Sequence, residues 1–228
     1  MGLIVATDLS AIRRNVEKIK AETGKSVMLM VKCDAYGRGI EAVSEYAESF
    51  VEAFGVATAT EGAKLRACGI KKPILVTMFE DADSATAVKF GLDVGIYSPR
   101  QVRALDGAAK KAHKSVNAHI AVNTGMNRLG VSDEKELDEL FFALSQTPRL
   151  TVKGVYTHFY GTDEAGISLQ NARFKPFEEA VKSRFGEVIG HTQNSGAIFS
   201  DAFGSLVRVG LAAYGDAEGF VPSMCVYG

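Results

Sequence analysis

Cysteine is scarce in this 228-residue chain: Cys33, Cys68 and Cys225 are widely spaced, odd in number and form no CxxC pair. Neither a disulfide framework nor a zinc site fits that pattern, and a reducing compartment is expected. An excess of basic residues is missing too. The formal net charge is −1, which excludes a strongly basic nucleic-acid binder. No apolar run approaches the ~18 residues of a membrane span. The start, MGLIVATDLSAIRRN, has too short an apolar run and no basic leader for a signal peptide. The chain reads as soluble and cytoplasmic, with neither nucleic acid nor membrane as a partner. Its hydrophobic content of 46% and charged content of 23% leave enough apolar material for a full core.

Against these absences stands a regular rhythm. Val27 to Val31 is an unbroken apolar run, too short for a buried helix, and reads as a strand covered on both faces. Lys32 follows where it stops; Asp34, Gly37 and Gly39 supply turn chemistry before a helical pattern from Ile40. Similar runs recur at Phe54–Thr58, Pro73–Thr77, Asp93–Tyr97, Val116–Val122, Leu150–Phe159, Val188–Thr192 and Leu206–Val209. Helical patterns alternate with them, including Glu41–Ala53, Asn171–Phe185 and Asn194–Ala202, with Ser98-Pro99 as an N-cap and first-turn pair. A short strand-like entry, Leu3–Thr7, and a helix capped by Asp8 precede the first repeat. Eight strand–helix units with short connections predict an α/β fold, a (β/α)8 barrel of the TIM type. An open doubly wound sheet is the alternative, but no GxGxxG follows an early strand.

In such a barrel the chemistry sits at the C-terminal strand ends. Those ends carry Lys32 and Tyr36, then Arg128, His158, Asn194 and Ser195, and finally Arg208, Gly210 and Tyr214. The set holds no carboxylate pair for glycoside hydrolysis and no His and acidic cluster for a catalytic metal. It offers one amine able to form an imine, hydroxyl and backbone donors for a phosphate, and two arginines. A Schiff-base lysine beside a phosphate cradle suggests pyridoxal phosphate. Plainer readings exist: a buried structural histidine for His158, a neutralised helix end for Arg128, a helix cap for Asn194-Ser195. Arg208, flanked by apolar neighbours in SLVRVGLAAYG, needs a partner in any reading. Tyr97 and Tyr156 read as core or rim aromatics, and His113, His119 and His191 receive no role.

VKCDAYGRG resembles the pyridoxal-phosphate lysine motif of alanine racemases, and NTGMNRLG, VYTHFYGTDE, QNSGA and VRVGLAAYG resemble that family's other signatures in the same order. The resemblance runs from about Thr7 to Gly215 and implies a (β/α)8 barrel. It implies that Lys32 binds the cofactor covalently and serves as acid and base on one face of the substrate. Tyr36, Ser195 and the backbone N–H groups of Gly210 and Leu211 would hold the phosphate, with Asn194 in the same pocket. Arg208 would meet the pyridine nitrogen, His158 would position that arginine, and Arg128 would lie near the phenolic oxygen and the substrate carboxylate. A guanidinium only donates, so it favours an unprotonated ring nitrogen and a weaker electron sink, which suits a racemase.

Two departures from the family pattern stand out. Many members carry a carbamylated lysine where this chain has Ala121, leaving Asn123 or Asn127 to help place Arg128. The family also has a second, mostly β domain that supplies an opposite-face tyrosine to the partner subunit. The expected organisation is a cofactor-binding barrel over residues 1–218, followed by residues 219–228 as the first strand of that second domain, unpaired here because the chain is a fragment or a degraded gene product. The resemblance thus implies an amino-acid racemase, homodimeric at full length, converting L-alanine to D-alanine for the cell wall. The alternatives are a non-catalytic pyridoxal-phosphate carrier, of which single barrels of this length exist, or the catalytic half of a serine racemase.

Overall fold

The computed structural model describes residue 2, residues 4–200 and residues 203–227. Leu3 at the head of the expected entry strand, Ala202 at the end of the expected Asn194–Ala202 helix, and Gly228 lie outside them. Strand β1 (Ile4–Thr7) leads into helix α1 (Leu9–Thr23), whose N-cap Asp8 accepts from the N–H of Ala11. The barrel strands follow as β2 (Ser26–Met30), β3 (Ala53–Val56), β4 (Ile74–Val76), β5 (Asp93–Ile96), β6 (Val116–Val122), β7 (Leu150–Thr157), β8 (Ile189–His191) and β9 (Leu206–Val209). All eight are parallel, in the order β8-β7-β6-β5-β4-β3-β2-β9. The seam between β8 and β9 is bridged by Ser205 N–H to Gly190 O at 3.2 Å and Arg208 N–H to Gln193 O at 3.1 Å. The sheet therefore comes round on itself, as the eight-unit rhythm predicts.

Alternation along each strand sorts the core into two compartments. Outward residues such as Val27, Leu29, Phe54, Ile74, Ile120 and Val207 pack under the helices. Inward, Met28, Met30, Ala53, Leu75 and Leu206 make one apolar half of the barrel lumen. The other half is polar, filled by Tyr156, His119, His191 and Arg208, all buried.

The remaining helices are α2 (Lys32–Gly37), α3 (Ile40–Ala47), α4 (Ala59–Ala67), α5 (Ser84–Phe90), α6 (Pro99–Ala112), α7 (Glu134–Ser145), α8 (Glu164–Phe185) and α9 (Leu211–Tyr214). Four of their starts are marked by capping side chains. Thr58 and Glu61 form a capping box on α4, Ser98 caps α6 ahead of Pro99, and Asp133 and Asp163 cap α7 and α8. Three expected helices differ. The one after β2 ends at Ala47 rather than Ala53, which opens β3. The one after β7 starts at Glu164, earlier than Asn171, because Asp163 caps it there. The segment after β8 is a single 3-10 turn, Ser195–Ala197.

A larger correction concerns the last strand. Residues Met224–Tyr227 (β10) are not unpaired: they run antiparallel to β1, with Ile4 opposite Tyr227 and Thr7 opposite Met224. The approach is clamped by Asn15, whose side chain donates to Ala213 O and Val221 O and accepts from the N–H of Val221. Arg38 adds a bidentate pair with Asp216 and a bond to Ser223 Oγ.

Candidate active site

At the C-terminal ends of the strands lies a cavity of about 550 Å³ lined by, among others, Lys32, Tyr36, Arg128, His158, Ser195 and Arg208. Asn194, Gly210 and Leu211 border it as well. Of the strand-end residues named from the sequence, only Tyr214 does not border this space: it is fully buried and its hydroxyl donates to Met30 O at 2.9 Å.

Lys32 starts a turn of unusual hand. Cys33, Asp34, Ala35 and Tyr36 all have φ between 52° and 55°, the left-handed region, and none is glycine. Such residues cost roughly 1–2 kcal/mol each, so surrounding bonds must impose the shape. Cys33 N–H donates to Glu61 Oε1 at 2.7 Å, Ala35 N–H to Val31 O at 2.9 Å, and Ile40 N–H to Asp34 Oδ1 at 2.9 Å. The turn brings the Lys32 ammonium 5.9 Å from the centroid of the Tyr36 ring. Burial pushes the Tyr36 phenol up from its ordinary value, so it stays a donor.

The Tyr36 phenol lies over Gly210, where any Cβ would collide with its oxygen. Beneath it, the N–H groups of Gly210 and Ala212 converge on Ser195 Oγ at 3.1 and 3.2 Å. Ala212 was not foreseen, and a backbone donor leaves no signature in a sequence. Leu211 borders the cavity but is not one of the two donors to Ser195. Both ends of the Asn194 amide are occupied by backbone: Oδ1 accepts from Gly196 N–H and Nδ2 donates to Phe159 O. Its visible work is to hold the 3-10 turn against the end of β7.

Arg208 is 4% exposed and has no acidic partner among the described residues. Its terminal nitrogens are spent on neutral acceptors: one donates to His191 O and to His191 Nδ1 (2.9 Å), the other to Thr157 O (2.6 Å) and weakly to Thr192 O (3.5 Å). That accounts for four of the five guanidinium donors and leaves Nε–H for the cavity. Burial brings this guanidinium down to about 10, still charged at neutral pH. The Tyr156 ring lies under it at 5.3 Å and stacks on His191 at 4.9 Å. The positioning of Arg208 expected of His158 thus falls to His191, because β8 runs beside β9 across the seam while His158 lies past the end of β7. From the sequence His191 has no role and Tyr156 is a core or rim aromatic, which its burial bears out; the only signal for their joint part is inward placement on a strand.

Arg128 borders the cavity from the loop after β6, exposed and without a hydrogen bond to any described residue. Asn123 does not touch its guanidinium. Instead its Oδ1 accepts from Gly125 and Asn127 N–H, and its Nδ2 donates to Asn127 Oδ1 and Ser132 Oγ. The loop is pinned by its backbone, and the arginine is carried on it. Ala121, buried at the end of β6, contributes only its methyl group.

His158 is held down to about 4 from an ordinary 6.5, first by burial and then by the cations Arg208, Arg128 and Lys32. Above 6.5 the imidazole is neutral in folded and unfolded chains alike. Between 6.5 and about 4 the unfolded chain takes up a proton that the folded one refuses, so stability falls as pH falls, levelling below about 4. His158→Asn should lose less stability than the parent when urea unfolding is compared at neutral pH and near pH 4.5. Equal acid losses would remove His158 from that role.

Among the described residues no group of three or more His, Cys, Asp or Glu could hold a metal ion, and no helix is long and apolar enough to cross a membrane. The chain is similar to an alanine racemase of Citrifermentans bemidjiense, 34% identical over 98% of this chain and 64% of that protein. Alanine racemase 1 of Bacillus subtilis is 36% identical over 91% of this chain and 55% of that protein. The chain therefore spans less than two thirds of the length of these curated relatives. Among solved structures, alanine racemase from Streptomyces coelicolor superposes with a TM-score of 0.92 at 27% identity, over 98% of this chain and 65% of that one. The family described as alanine racemase, N-terminal domain, matches residues 7–218. By that match, over nearly the whole barrel, the chain belongs to the alanine racemase N-terminal domain family.

Proposed function

We propose that this barrel binds pyridoxal phosphate and is the cofactor-binding part of an amino-acid racemase acting on alanine. One observation carries the reading: the two backbone donors, the Ser195 hydroxyl and the Tyr36 phenol gather where a side chain at Gly210 would intrude, in the same cavity as a lysine at a strand end. Backbone donors gathered on a serine hydroxyl beside a phenol, at the wall of a cavity, suit a phosphate group. When bound, pyridoxal phosphate supplies an aldehyde for attachment to an amine and a conjugated ring that accepts electron density from the substrate Cα.

The residues divide the work. Tyr36, Ser195, Gly210 and Ala212 would hold the phosphate, and the Nε–H of Arg208, which the protein's own acceptors leave unused, would serve the ring nitrogen. Arg128 takes the substrate carboxylate through the forked donors of its guanidinium. Lys32 Nζ anchors the cofactor and moves the proton at Cα on its own face. The expected roles of Leu211 and Asn194 become a wall of the pocket and a brace for the turn carrying Ser195. The family match ends at residue 218, which supports a domain boundary there. A homodimer in the cytoplasm, supplying D-alanine for the cell wall, completes the proposal.

The test is exchange of the alanine Cα hydrogen in deuterated water by the cofactor-loaded chain. Exchange that depends on Lys32 is expected with at least one enantiomer. No exchange with either would favour the non-catalytic carrier. The cradle has its own test. Gly210→Ala should weaken pyridoxal phosphate binding by roughly tenfold or more through overpacking, while binding of pyridoxal, which has no phosphate, changes far less. Equal losses for both compounds would place the phosphate elsewhere.

A further inference from the structure

The polar half of the lumen contains a hydrogen-bond chain whose direction can be worked out from one end. Arg208 can only donate, so the His191 Nδ1 it meets at 2.9 Å is unprotonated, and the His191 proton sits on Nε2. That Nε2 lies 2.9 Å from His119 Nδ1. His119 Nδ1 must therefore accept, and its proton in turn sits on Nε2. From there it points toward Asp93 Oδ2, 3.8 Å away, while Asp93 Oδ1 accepts from Asn117 Nδ2 at 3.0 Å. Asp93, Asn117 and His119 border a second cavity of about 420 Å³ at the N-terminal ends of the strands. The hydrogen-bonded chain thus runs from the candidate site to His119, which itself borders the far mouth, with Asp93 just beyond bonding distance.

Space has been cleared for it. A Cβ at Gly154 would strike the His119 imidazole, and the β6–β7 register shifts between Ala118 and His119. His191 is wholly buried and stacked on Tyr156, with planes 9° apart, so its ring cannot turn over to exchange its nitrogens. A doubly protonated His119 would set two N–H groups against each other across 2.9 Å.

We propose that His119 is a positioning residue for Arg208: by accepting from His191 Nε2–H it fixes the His191 tautomer that turns a lone pair toward the guanidinium. Its meaning for catalysis rests on Arg208 meeting the cofactor ring; the tautomer order does not. Removing the acceptor leaves a wholly buried N–H without a partner, which is costly enough to redistribute the tautomer. Burial and the neighbouring Arg208 both disfavour a charged His191, in keeping with this order.

Nitrogen-15 NMR of the imidazoles in the cofactor-free chain tests it directly. His191 and His119 should both show a protonated Nε2 and a bare Nδ1; a protonated Nδ1 on either overturns the proposal. His119→Asn keeps an acceptor near the Nδ1 position, whereas His119→Phe removes it. The Asn variant should retain the His191 pattern and bind pyridoxal phosphate within a fewfold of the parent. The Phe variant should mix the tautomers and bind about tenfold more weakly. An unaltered His191 pattern in a folded Phe variant would also overturn the proposal, as would loss of that pattern in the Asn variant. Because the tautomers are read without cofactor, failure of this chain and failure of the cofactor assignment are separable.

Discussion

A Lys32→Ala chain should fold like its parent and retain no cofactor after borohydride reduction, whereas the parent should carry one label, on Lys32. The side chain is only half-buried and lies beyond β2 with no ion pair among the described residues, so its loss touches little of the core. Stability should stay within about 0.5 kcal/mol of the parent. Function should not. Removing a positioned proton-transfer group costs ~10²–10⁴ in rate, and here the same amine is also the anchor. Peptide mapping of the reduced parent decides the matter: a label on any other lysine would sink the assignment of Lys32.

The second large effect concerns folding. Arg208→Glu should destabilise the chain by about 3–5 kcal/mol, because it sets a carboxylate against the carbonyl oxygens of Thr157 and His191 and strips both of their donor. The urea midpoint should drop by roughly 1–2 M. Arg208→Lys keeps the charge but not the fork, and should fall between the two. A glutamate variant as stable as the parent would mean that the buried guanidinium is not the lumen's keystone.

The contrast between these residues explains what was legible in the sequence. Barrel strands such as Val27–Val31 declare themselves because burial on both faces demands an unbroken apolar run. Lys32, Ser195 and Arg208 stand at the ends of such runs, or interrupt them, and are conspicuous for that reason. Arg208 visibly needs a partner, and the one the resemblance implies is His158. The partners are carbonyl oxygens and a neutral imidazole, and neither kind is marked by residue type. His119, two positions before Ala121 on the same strand, is inward by alternation, yet nothing along the chain indicates that it meets His191. The pairing of β1 with β10 joins opposite ends of the sequence and has no local signal at all. The hand of the turn after Lys32 is nearly as silent, since of Cys33, Asp34, Ala35 and Tyr36 only Asp34 leans toward positive φ by itself.

That turn has a consequence for how the molecule breathes. A left-handed stretch of four non-glycine residues stores strain that only its anchors hold in place, and such segments open at lower free energy than the barrel around them. The amides of residues 33–36 should therefore exchange with solvent ahead of the β2 amides next to them. A ligand gripped by Lys32 at one end and Tyr36 at the other closes the stretch like a buckle. The slowing of amide exchange on loading should be largest here, so the stretch that chemistry needs most is also the one whose order depends most on being occupied.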